Sequence, residues 1–194
     1  MRRTRVTVGL VAVAAAAAVL VAAIGGNGSS THVRASGPFG WLRPAPAPAG
    51  WSVARVPSGA RLAYPPGWNR IKTDSGTASV ALLRSRGRID AFLNATPRQG
   101  TETLANWSRF RPQHNRREGD RGEHLVASTT DAHFRSGRGS CVIDTYTTSK
   151  ATYREIACLV SSARTSAVVV AAAPSALWHG QAATLERAVS SFVP

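Results

Sequence analysis

Residues 140–160 read SCVIDTYTTSKATYREIACLV, and the fold turns on this stretch. Ser149-Lys150 is read as a two-residue turn; a four-residue turn would keep the same opposed pairs and change only their hydrogen-bonding parity. The runs on either side, Ser140 to Thr148 and Thr152 to Val160, carry the β-branched and aromatic residues of strands. A two-residue turn pairs residues that are equidistant from it, so Thr148 faces Ala151, Tyr146 faces Tyr153, Ile143 faces Ile156 and Cys141 faces Cys158. The cysteine pair falls on a non-hydrogen-bonded site, where opposed side chains approach most closely. A disulfide there is geometrically reasonable and is worth about 3 kcal/mol in the chain-entropy account. The competing readings, a redox pair or a metal site, lack Cys-x-x-Cys spacing and a nearby third ligand.

The same register sets Asp144 against Glu155. Opposed carboxylates repel, and the pair could share a proton, hold a cation, or stand on a solvated face with Arg154 nearby. The solvated face is the expectation, because water keeps both groups ionised at little cost.

Outward from the hairpin, short strand signals lie at Ser52 to Val56, Arg61 to Tyr64, Ser79 to Leu83, Ile89 to Ala95, His124 to Thr129 and Ala167 to Ala172. Two helices are predicted by periodicity. The first is capped by Thr101, has Glu102 in its first turn and Leu104, Trp107 and Phe110 three apart, and carries Arg109 and Arg111 near its end. The second starts near Ser175 and lines up Trp178, Ala182, Leu185, Val189 and Phe192 as a core-facing stripe.

Upstream, Arg2, Arg3 and Arg5 precede an uncharged run from Val6 to Ile24, which as a helix is about 28 Å long and able to cross a bilayer. The positive-inside rule puts Met1 in the cytoplasm and the rest of the chain outside. Residues 1–25 are thus a membrane anchor or a signal segment. Val21-Ala22-Ala23 and Val33-Arg34-Ala35 both offer small residues where a signal peptidase cuts. Residues 26–50, ending in alternating Pro and Ala, read as an extended linker, with Phe39 and Trp41 free to rest on a membrane interface or dock on the domain. Residues 51–194 form a single globular domain.

The run Leu62-Ala63-Tyr64-Pro65-Pro66-Gly67-Trp68, a mid-chain helix with Leu104 and Trp107, the hairpin, the strand Val168 to Ala172 and a closing helix ending Ser190-Ser191-Phe192 together resemble the PsbP-like superfamily. The resemblance covers most of residues 51–194 and implies an α+β fold, an antiparallel sheet with helices on both faces as an α/β/α sandwich. The layout looks like that of exported actinobacterial members. It further implies a non-enzymatic protein that binds larger assemblies or acts as an adaptor. Relatives that are lipoproteins carry a cysteine after the signal, which this chain lacks.

The 194 residues include 24 Lys+Arg against 10 Asp+Glu, for a net charge of +14. Two cysteines and five scattered histidines exclude a disulfide-dense miniprotein, a zinc ribbon and a Cys-ligated iron–sulfur protein. No Gly-x-Ser-x-Gly, phosphate-binding loop or His-Glu-x-x-His occurs, so no catalytic, cofactor or metal residue is assigned, and no cofactor is expected. Gly137-Arg138-Gly139-Ser140 reads as a turn ahead of a strand rather than an anion cradle.

The candidate anion-binding residues are Arg84, Arg86 and Arg88, which on an extended segment would share one side, and Arg109, Arg111, Arg116 and Arg117 around the first helix. Such residues would attract anionic lipid or envelope polymer, or simply form a wet face. The expected partner is an envelope protein; nucleic acid is not expected, as no aromatic–basic motif appears. A peripheral module held to lipid or polymer, and an exported hydrolase with an unrecognised site, are the alternatives.

Overall fold

The computed structural model describes residues 37–194. The apolar run from Val6 to Ile24 and its flanks lie outside the described residues. Among those described, no helix is long and apolar enough to cross a membrane.

A seven-stranded antiparallel sheet is the frame, in the order β3-β4-β5-β9-β8-β7-β6. Its strands are β3 (Asn69–Ile71), β4 (Ala78–Leu83), β5 (Ile89–Pro97), β6 (Arg121–Phe134), β7 (Gly137–Thr147), β8 (Thr152–Ser161) and β9 (Ser166–Pro174). A separate hairpin pairs β1 (Ser52–Arg55) with β2 (Arg61–Tyr64). The helices are α1 (Trp107–Arg117) and α2 (Trp178–Ser190).

The hairpin of β7 and β8 has the register its turn dictates: Cys141 opposes Cys158, Ile143 opposes Ile156, Asp144 opposes Glu155 and Tyr146 opposes Tyr153. The disulfide joins Cys141 to Cys158, whose Cα atoms are 4.1 Å apart, and both residues are fully buried. Alternate residues of the central strands enter two separate clusters, as the period of two requires. Cys141, Ile143, Ile156, Cys158, Val169 and Ala171 join Leu185, Val189 and Phe192 of the α2 region, together with Leu62 of β2. Val142, Ala157, Leu159, Val168 and Val170 join Trp107 of α1.

Several elements depart from the sequence reading. The first helix begins at Trp107, not Thr101. Thr103 and Asn106 trade hydrogen bonds between their side chains and each other's backbone N–H (2.7 and 3.1 Å), and Glu102 folds back to accept from the Gln99 N–H at 2.8 Å. These local bonds compete with helix hydrogen bonding and hold residues 101–106 in a turn. α1 then runs through Pro112 to Arg117, giving up one backbone bond. α2 starts three residues later than expected, because Ser175–Leu177 form a turn in which the Leu177 N–H reaches the Pro174 carbonyl at 2.8 Å.

β6 is more than twice the length read from the sequence, since three register shifts along its pairing with β7 break the alternation that marks a strand. Gly137 and Gly139 belong to β7 rather than to a turn. A Cβ on Gly137 would fall on the Ser161 carbonyl, and one on Gly139 would stand 2.6 Å from the Phe134 ring. Of the segment read as linker, Phe39, Trp41 and Leu42 pack on the core, and the Ala45 N–H donates to the Ser190 carbonyl at 3.1 Å.

Candidate functional site

The opposed acids are not on a solvated face. Asp144 and Glu155 are both fully buried beneath α1, where the second turn of the helix carries Arg111 directly over them. Its guanidinium grips Glu155 with both arms, Nε to Oε1 at 2.6 Å and Nη2 to Oε2 at 2.9 Å. Arg111 is therefore an internal tie and leaves the set of surface anion ligands. Burial alone would lower its pKa, but the charge and hydrogen bonds of Glu155 outweigh that and raise it.

Neither carboxyl oxygen of Asp144 has a hydrogen-bond partner among the described residues. Burial, and next the charge of Glu155, push its pKa up to about 8, against the pull of Arg111. Asp144 thus favours its protonated form at neutral pH, beside the Arg111–Glu155 ion pair. Tyr146, the next inward residue on this side of β7, is raised by the same two causes. Asp144 and Glu155 expose no surface, and the Arg111–Glu155 pair ties α1 to the sheet.

An open site lies where three turns meet at one end of the sheet: β4 to β5, β7 to β8, and β9 to α2. They enclose a groove of about 600 Å³, with Ile89, Tyr153 and Leu177 as apolar lining and Arg84, Arg88 and Lys150 as basic lining. That volume is in the range of ligand pockets. Arg84, Arg86 and Arg88 do not stand in a row on an extended segment. A 3-10 turn at Ser85–Gly87 intervenes, Arg86 and Gly87 both take positive φ (64° and 71°), and the Arg84 N–H closes on the Arg88 carbonyl at 2.8 Å. This sends Arg84 and Arg88 into the groove and leaves Arg86 exposed outside its lining. The Nε of Arg84 is held by Asp90 at 2.7 Å, which leaves Arg88 and Lys150 as the uncommitted cations of the lining.

Arg109, Arg116 and Arg117 are exposed on α1, and Arg116 approaches Glu123 at 3.6 Å. α1 packs on β6 and β7, toward the opposite edge of the sheet from the β4–β5 turn. The seven arginines therefore make no single surface. The sequence does not single out Lys150, Tyr153 and Leu177 as groove lining, because only the closing of the sheet brings the three turns together. Among the described residues, no group of three His, Cys, Asp or Glu could hold a metal ion.

The sheet order, the flanking helices and the hairpin define a PsbP-like α+β fold. Among solved structures, the chain is similar to the solution structure of cyanobacterial PsbP (CyanoP) from Synechocystis sp. PCC 6803. The TM-score is 0.55 at 14% identity, over 75% of this chain and 93% of that one. A protein of unknown function from Pseudomonas aeruginosa, a putative regulator by its description, aligns over 74% of this chain and 96% of its own at 10% identity and a TM-score of 0.43. No family model matches the chain. No curated protein matches it either.

Proposed function

We propose that the chain is a non-enzymatic, extracytoplasmic binding domain, held at the cell membrane by residues 6–24, that receives an acidic segment of an envelope protein in the groove at the end of its sheet. The groove is the observation that carries this reading. Arg88 and Lys150 offer charge, Ile89, Tyr153 and Leu177 offer apolar contact, and the one acid in the lining, Asp90, is tied to Arg84. Such a lining supplies donors and an apolar floor but no free base for hydrolysis. A buried disulfide fits an oxidising compartment. We further read the architecture as an α/β/α sandwich of the exported type, because the two clusters take alternate residues of the same strands.

The test places a photo-crosslinking residue at Leu177 in living cells, and a control at Val126 on β6, at low and high salt. One envelope protein captured from Leu177 and not from Val126, at both salts, and lost in the Arg88→Glu/Lys150→Glu variant, is the expected result. Capture of lipid or polymer alone, abolished by salt, would replace this reading with that of a peripheral electrostatic module.

A further inference from the structure

A second basic site lies at the other end of the sheet, built by residues no motif joins. Across the β1–β2 hairpin, Arg55 stands directly opposite Arg61, and Val53 opposite Ala63. Like charges in directly opposed positions cost stability. Arg135, from the turn between β6 and β7, converges on the same pocket, and Val193 after α2 helps to close it at about 200 Å³. None of the three arginines is ion-paired with an acidic side chain among the described residues. Arg138, close by, is instead neutralised by Asp131 at 2.7 Å.

The pocket is also held in place. Arg61 and Val193 exchange both backbone hydrogen bonds, 2.8 and 3.2 Å, which fixes the hairpin against the segment following α2. Gly137 fixes the third arginine's turn, since its bare Cα lets that turn sit against the Ser161 carbonyl. Arg55, Arg61 and Arg135 are all exposed and line this one small pocket, and guanidinium groups bind phosphate oxygens in bidentate fashion. Beside them Val53, Ala63 and Val193 provide an apolar flank.

We infer that Arg55, Arg61 and Arg135 form a binding site for a phosphate-type oxyanion, either free or as the headgroup of an anionic lipid. The site is separate from the groove and does not depend on its occupant.

Full-length protein in nonionic detergent is titrated with inorganic phosphate, and separately with a short-chain phosphatidylglycerol below its micelle concentration. Chloride at matched ionic strength is the reference, and binding is read by calorimetry and by the shift in Tm. A saturable effect of either probe is expected, weakened about tenfold by each of Arg55→Gln, Arg61→Gln and Arg135→Gln. Tighter binding of phosphatidylglycerol than of phosphate assigns the site to a headgroup, with its chain on the apolar flank; equal binding assigns it to the free anion. Absence of an effect beyond chloride with both probes overturns the inference. So does an effect that all three substitutions leave intact. Arg135→Gln lies in a turn outside the hairpin's ladder, so it reads the site even if changes in β1 or β2 disturb folding.

Discussion

At the scale of single residues, the cluster under α1 makes the sharpest predictions. Asp144 has a folded-state pKa raised from 3.8 to about 8, so the folded protein binds a proton more tightly than the unfolded chain does. Between those two values the unfolded state ionises first. Its contribution to stability therefore falls as pH rises from about 4 to about 8, by at most about 1.4 kcal/mol per pH unit, and levels off above. Asp144→Asn keeps the shape of the protonated acid and removes the titration. Urea unfolding at pH 5, 7 and 9 should show the wild type losing ground to the variant across that window; parallel curves would refute the assignment. Arg111→Met leaves Glu155 as an uncompensated buried charge and should cost about 3–5 kcal/mol. Adding Glu155→Gln should recover much of it, measured as a double-mutant cycle. The opposition of Asp144 and Glu155 was legible in the hairpin's turn. Their burial was not, because it depends on a helix 44 residues earlier in the chain landing over them.

Among the elements, α1 hangs on two points. The Trp107 indole N–H donates to the Ala157 carbonyl at 2.9 Å while the ring fills the smaller cluster, and Arg111 grips Glu155 one turn later. Trp107→Phe should lose the hydrogen bond at about 1 kcal/mol and Trp107→Ala about 3–5 kcal/mol, with amide exchange in α1 rising before that of the central strands. The turn between β4 and β5 makes the opposite prediction. Arg86 sits in the left-handed region at φ 64°, a conformation that disfavours a side chain. Arg86→Gly should therefore be neutral or stabilising by up to about 1 kcal/mol, and a clear fall in Tm would contradict this reading.

The same turn shows where sequence patterns fail. Spacing by two locates three arginines on one side only if the backbone is extended, and two consecutive positive φ angles undo that premise. The helix boundary at Trp107 was hidden for a related reason. Thr101 and Glu102 have the composition of a cap and first turn, yet the bonds between Thr103 and Asn106 hold that segment apart from the helix.

Over the whole molecule, the central hairpin is stapled within the larger cluster. Replacing Cys141 and Cys158 together with alanine should lower global stability by about 3 kcal/mol in urea unfolding. The register should persist, because the ladder from Arg138↔Ser161 to Thr147↔Thr152 does not depend on the sulfur bridge. The sheet was legible wherever strands alternate cleanly, as in β7 through β9, and poorly legible at its margins. β3 has only three residues, and β6 shifts register three times. Those shifts matter beyond prediction. β6 is fourteen residues long and forms an outer margin of the sheet, with Leu125 and Val126 exposed on it. A straight strand of that length would offer another chain a continuous row of amides to zip onto. Each slip bends the row out of step, so no long run remains for a neighbour to copy. An outer strand broken in this way is a poor template for edge-to-edge pairing between copies of the chain.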